Sequence, residues 1–107
     1  ALPRWTIRMQ LAPAYGDDAR LADSTITRYH ELLLAPGNRA ALLERLSQTV
    51  LTDPRARLRT IAAPVLLVWG SEDRLIPPRN AADYLAVLPR ARSVVLPGLG
   101  HVPFEED

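Results

Sequence analysis

Five consecutive apolar residues, Val65-Leu66-Leu67-Val68-Trp69, lie between Pro64 and Gly70. The run does not alternate with polar residues, so it is not the pattern of a strand with one wet face. It asks for a strand covered on both sides, as in a parallel sheet. A second short apolar run, Ser93-Val94-Val95-Leu96, ends at Pro97-Gly98. Between the two, Arg79 to Leu88 carries Ala81, Ala82, Leu85 and Leu88 at helical spacing, and Pro89 stops it. Strand, helix, strand is a βαβ unit, expected to be right-handed with parallel strands. Ligands of such sheets sit beyond the carboxyl ends of the strands. Here those ends lead into the loops Gly70–Pro78 and Pro97–Glu106.

The chain ahead of this unit reads as helical, and the change falls at Thr52-Asp53-Pro54. Residues 1–52 are expected to form one segment and residues 53–107 another. Leu2 to Asp18 is interrupted by Pro3, Pro13 and Gly16 and is expected to be loop or short helix. Ser24 or Thr25 is expected to cap a helix running to Ala35, with Ile26, Tyr29, Leu32 and Leu33 as its apolar stripe. Pro36-Gly37 stops it. Asn38 is expected to cap a second helix to Leu51, with Leu42, Leu43, Leu46 and Val50 as its stripe. The pair reads as a helical hairpin. Asp53-Pro54 places an N-cap before a proline at the first helical position.

Composition removes several function classes. Hydrophobic residues make up 48% of the 107 and charged residues 23%, which is globular rather than disordered. No apolar run approaches the roughly 20 residues of a membrane helix, and no basic segment leads an apolar one, so a cytoplasmic protein without a membrane partner is expected. All thirteen basic residues are Arg, and the net charge is only +1. Of these, Arg55, Arg57 and Arg59 cluster, beside Asp53, so no nucleic-acid partner is expected. Cysteine is absent, which excludes disulfides and thiolate metal sites.

The two loops at the sheet edge hold the chemistry. Ser71, Glu72 and Asp73 lie in the first, and His101 follows Gly98-Leu99-Gly100 in the second. A carboxylate that orients an imidazole is the arrangement nucleophilic catalysis needs. On the residues alone, Asp73 is equally well a turn cap, and Glu72 stands beside it. Ala63-Pro64-Val65-Leu66-Leu67-Val68-Trp69-Gly70-Ser71-Glu72-Asp73-Arg74-Leu75-Ile76-Pro77 resembles the acid-bearing strand and loop of α/β-hydrolases. Leu96-Pro97-Gly98-Leu99-Gly100-His101-Val102-Pro103-Phe104-Glu105-Glu106 resembles the family's histidine loop. The acid precedes the histidine, as in that fold. Residues 1–52 resemble more weakly the helical cap of small-molecule hydrolases. The resemblance implies an α/β fold, a partial α/β-hydrolase with a helical cap segment followed by a parallel β-α-β unit. It implies Asp73 as the orienting acid, His101 as general base, and no cofactor.

One element of the family pattern is missing. None of the four serines, Ser24, Ser47, Ser71 and Ser93, stands in a G-x-S-x-G. The sequence is therefore expected to be part of a larger hydrolase of small esters or related substrates. It would carry acid and base but no nucleophile, which would be Ser or Asp, and would be inactive alone. A non-catalytic binding or oligomerisation module on a hydrolase-derived scaffold is the alternative. A dinucleotide site is disfavoured because Gly98-Leu99-Gly100 lacks the spaced third glycine. His30 is expected on a helix surface, Asp17-Asp18 in a solvated turn, and no metal among Glu105, Glu106, Asp107 and His101. Two strands alone leave edges and faces bare, so the isolated chain is expected to form a homo-oligomer, a dimer.

Overall fold

Helices come first along the chain and the strands last. The computed structural model describes residues 2–107. Helix α1 spans Arg4–Leu11, α2 Asp23–Leu34, α3 Asn38–Ser47 and α4 Arg55–Leu58. Strand β1 (Val65–Gly70) leads through a 3₁₀ turn at Pro78–Asn80 into α5 (Ala81–Leu85), then β2 (Ala91–Leu96) and α6 (Pro103–Glu106). The strands pair in parallel, with Val65 opposite Ala91 and Gly70 opposite Leu96. The βαβ unit expected from the two apolar runs is therefore present.

The helical half departs from its reading in detail. Pro3 stands just ahead of α1 in extended backbone, and Thr6 donates to the Pro3 carbonyl from both its N–H and its hydroxyl. Pro13 fits the following 3₁₀ turn, so the two prolines bracket a helix rather than prevent one. Of the alternating residues Trp5, Ile7, Met9 and Leu11, Ile7 alone is buried, while Trp5 and Met9 are exposed. Ser24 and Thr25 do not cap α2, which begins at Asp23 after an extended Ala22. Asn38 does not cap α3 either. Its Nδ2 donates to the Leu32 carbonyl at 2.7 Å and closes the end of α2, and Gly37, at φ +84°, precedes α3.

Helix α3 ends at Ser47, short of Leu51. Short helices persist mainly by packing an apolar face. The face here is uncovered, with Leu43 68% and Val50 78% exposed. Helix α5 is likewise shorter than Arg79–Leu88, because its first turn is 3₁₀. The strands expected to be covered on both sides are not: Leu66, Val68 and Val94 on one face, and Val95 on the other, are between 38% and 49% exposed.

The main core lies between α1, α2 and the connection joining them. Ile7, Ala14, Tyr15, Leu21 and Ile26 form the buried cluster, and Val102, from the histidine loop, packs on it with Leu2, Leu11, Tyr29 and Leu33. Burying a side chain such as Ile7 contributes about 2–3 kcal/mol. The helical half and the histidine loop therefore share one core.

Glycines set the closeness of that junction. A Cβ on Gly70 would fall on the Leu99 and Gly100 carbonyls, and one on Gly100 on the Ala14 carbonyl and Gly16 nitrogen. Backbone cannot rotate aside as a side chain can. Gly70→Ala should thus cost about 3 kcal/mol or more. Gly37→Ala meets nothing within 4 Å and carries only the left-handed backbone penalty, about 1–2 kcal/mol. Urea denaturation of both variants reads the difference, and equal losses would contradict this account of the junction.

Candidate active site

The Gly70–Pro78 loop turns immediately after β1, where the Asp73 N–H reaches the Gly70 carbonyl at 3.3 Å. Trp69 fixes its far side by donating from Nε1 to the Ile76 carbonyl at 2.7 Å. Asp73 is 7% exposed, and among the described residues it is the one buried charged side chain. Its Oδ1 accepts from the N–H groups of Leu75 (3.0 Å) and Ile76 (2.9 Å). Its Oδ2 lies 2.9 Å from His101 Nδ1. A carboxylate is an acceptor only, so Nδ1 carries a hydrogen, and in the neutral ring the lone pair is then on Nε2. The imidazole is about one-third exposed, while the acid behind it is almost sealed.

The two loops are stapled to each other next to this pair. The Gly98 N–H donates to Ser71 Oγ at 2.8 Å, Ser71 N–H to the Leu96 carbonyl at 2.9 Å, and Glu72 N–H to the Leu99 carbonyl at 2.8 Å. Ser71 thus serves the loop junction. Of the two acidic residues considered from the sequence, the structure brings Asp73 to the ring and leaves Glu72 facing solvent.

Glu105 and Glu106, weighed in the sequence only as metal ligands, make bonds around the site that sequence reasoning missed. Glu105 Oε2 accepts from the buried Tyr15 hydroxyl at 2.9 Å. Its Oε1 accepts from Tyr29 at 2.9 Å and pairs with Arg28 at 3.2 Å. Glu106 Oε1 accepts from Gly100 N–H at 2.6 Å and its Oε2 from Gly16 N–H at 2.9 Å. The His101 N–H donates to the Ala14 carbonyl at 2.7 Å, and Arg74 to the Gly16 carbonyl at 3.3 Å. Most of these partners are separated by most of the chain, so no local pattern announces them. His30 Nε2 meets the Leu2 carbonyl at 2.7 Å, which ties α2 to the start of the chain. Asp17 accepts from the Ala19 N–H, the solvated turn expected of it.

Two open hollows adjoin the ring. One of about 450 Å³ is lined by Val68, Leu96, Leu99, His101, Pro103, Phe104 and Asp107. The other, about 180 Å³, runs from Trp69 and Ile76 past Asp73 to His101. A larger hollow of about 600 Å³ lies away from them, between α4 and α5. On its rim, hydrogen bonds from Arg55 hold the Asp53 carboxyl down at about 2.

A family model described as the Alpha/beta hydrolase family matches residues 1–107. The chain belongs to the alpha/beta hydrolase family. A pimeloyl-(acyl-carrier protein) methyl ester esterase of Edwardsiella ictaluri is 40% identical over 89 residues, which cover 83% of this chain and 34% of that protein. The corresponding esterase of Nitrosomonas europaea is 48% identical over 54 residues, 50% of this chain and 21% of its own length. The chain thus spans between about a fifth and a third of these relatives. Among solved structures, the serine hydrolase CarC, involved in carbazole degradation, superposes with a TM-score of 0.83 at 20% identity, over 97% of this chain and 42% of that one. A serine hydrolase of the polyaromatic-hydrocarbon-degrading bacterium Cycloclasticus zankles gives 0.78 at 19% identity, over 97% and 40%. The helices and the two-stranded parallel sheet are therefore a partial alpha/beta-hydrolase fold. Among the described residues, no helix is long and apolar enough to cross a membrane.

The tyrosines that meet Glu105 make the junction sensitive to alkali. Burial, reinforced by the bond to Glu105, pushes the Tyr15 phenol up from 10 to about 12, and the same causes raise Tyr29. The folded protein keeps these protons at pH values where the unfolded chain releases them. The stabilisation from Tyr15 is complete below pH 10 and is lost as pH rises from 10 through 12, and Tyr29 acts in the same direction. Denaturation midpoints should fall across that window, and Tyr15→Phe should flatten much of the fall. An unchanged slope in the variant would contradict this role for Tyr15.

Proposed function

We propose that these residues supply the acid and base of an ester-hydrolysing active site whose nucleophile lies outside residues 1–107. The observation that carries the reading is the Asp73–His101 contact. The acid is buried, its second oxygen is filled by two backbone N–H groups, and His101 lines the two open hollows beside it. In this reading His101 Nε2 takes the proton from an attacking hydroxyl as the acyl–oxygen bond begins to exchange. Asp73 stabilises the imidazolium so formed and holds the ring in one tautomer. The ring then gives the proton to the alkoxide as its bond to the acyl carbon breaks, leaving the acyl group on the nucleophile. Water, deprotonated by the same ring, attacks that acyl carbon, and the ring returns the proton to the nucleophile as the acid product leaves.

The names of the relatives support a carboxylic ester as substrate, and those of the structural neighbours support serine rather than aspartate as nucleophile. Residues 1–52 are read as the lid segment above the site and 53–107 as part of the catalytic core. By itself the chain would bind and position without turning over. The uncovered apolar faces at Leu66, Val68, Val95 and along α3 support association of the isolated chain, as a dimer through those faces.

In the active enzyme that contains these residues, Asp73→Asn and His101→Ala should each lower kcat by about 10⁴-fold or more. KM for a short-chain ester should stay within about threefold, because both groups act on the transition state rather than on binding. Turnover within tenfold of the parent for either variant would overturn the assignment. The non-catalytic alternative predicts no ester turnover in the parent protein and ligand binding that survives both substitutions.

A further inference from the structure

The two carboxylates that follow the histidine loop do different work. We propose that Glu106 is a positioning residue for His101, an inference that rests on the reading of His101 as base. Glu106 bridges two peptide segments, with Oε1 on the Gly100 N–H at 2.6 Å and Oε2 on the Gly16 N–H at 2.9 Å. The His101 N–H in turn binds the Ala14 carbonyl at 2.7 Å. The residue before the ring and the ring's own backbone are thus anchored to the same short segment, Ala14–Gly16. That segment has little room to shift, since a Cβ on Gly16 would strike the Gly98 carbonyl and one on Gly100 the Ala14 carbonyl and the Gly16 nitrogen. Remaining bound to Asp73 fixes the ring at Nδ1, and the Glu106 bridge fixes where its backbone starts. Together they aim Nε2.

Glu105, the preceding residue, faces Tyr15, Tyr29 and Arg28 and ties α2 to the same junction. The chemistry of the partners separates the two residues. Both partners of Glu106 are N–H groups, which only donate, so a glutamine there sets its NH₂ against one of them. Both tyrosine hydroxyls donate and accept, so a glutamine at 105 can satisfy both.

The test uses the active enzyme and two readouts, ester turnover and the NMR resonances of the His101 ring. Glu106→Gln should shift the ring resonances and lower kcat about ten- to a hundredfold with KM within about threefold. Glu105→Gln should leave the ring resonances in place. Glu106→Asp, which keeps two acceptor oxygens but a shorter reach, should lie between parent and Glu106→Gln, and it decides the matter if Glu106→Gln does not fold. Unmoved ring resonances in the folded Glu106 variant, or an equal shift in Glu105→Gln, would overturn the positioning role. His101→Ala retaining turnover would instead overturn the reading of the base. The ring resonances would then still report whether Glu106 sets the loop.

Discussion

Three stretches of backbone meet at the carboxyl end of the sheet at distances that leave no space for a side chain. Gly70 ends β1, Gly100 precedes the histidine, and Gly16 belongs to the connection between α1 and α2. The two loops of the candidate site are held together at this junction. The Asp73 loop leaves from Gly70, His101 stands one residue after Gly100, and Glu106 spans Gly100 and Gly16. Close approach is an absence of Cβ atoms before it is anything else, and it lets backbone donors and acceptors on separate segments satisfy one another.

A buried carboxylate is costly unless its lone pairs are used. Asp73 meets that condition with two backbone donors on Oδ1 and one imidazole on Oδ2, all supplied by its own loop and the facing one. Hydrogen bonds to a charged group contribute about 1.5–3 kcal/mol each when well formed. Such a set favours one loop conformation over its alternatives. Glu105 repeats the logic at lower burial with two phenols and an arginine, and in doing so links the helical half to the loop that carries His101.

The strand pair was legible because its signals are local. A run bounded by Pro64 and Gly70 and a second bounded by Pro97-Gly98 define β1 and β2 without reference to anything distant. Asp73 and His101 were legible through the spacing that places both at one sheet edge, and through family resemblance. The helix ends were not. Asn38 looks like a cap for the helix that follows, but its side chain reaches back to Leu32, a choice between two nearby backbone groups that propensity does not decide. The stripe on α3 is plain in the sequence, yet a stripe predicts burial only where a partner exists, and its leucines are exposed among the described residues. In the sequence Glu105 and Glu106 are weighed only as metal ligands, because their partners, Tyr15 and Gly16, lie at the other end of the chain.

Catalysis by His101 depends on which ring nitrogen carries its hydrogen, since a base must present a free Nε2 to its substrate. Nitrogen-15 NMR of the ring, with the imidazole neutral, measures this directly. The geometry predicts protonated Nδ1 and unprotonated Nε2, with the Nδ1 proton shifted far downfield by Asp73 and that shift lost in Asp73→Asn. A ring protonated at Nε2, or an Nδ1 signal indifferent to Asp73, would contradict the assignment of these two residues as acid and base.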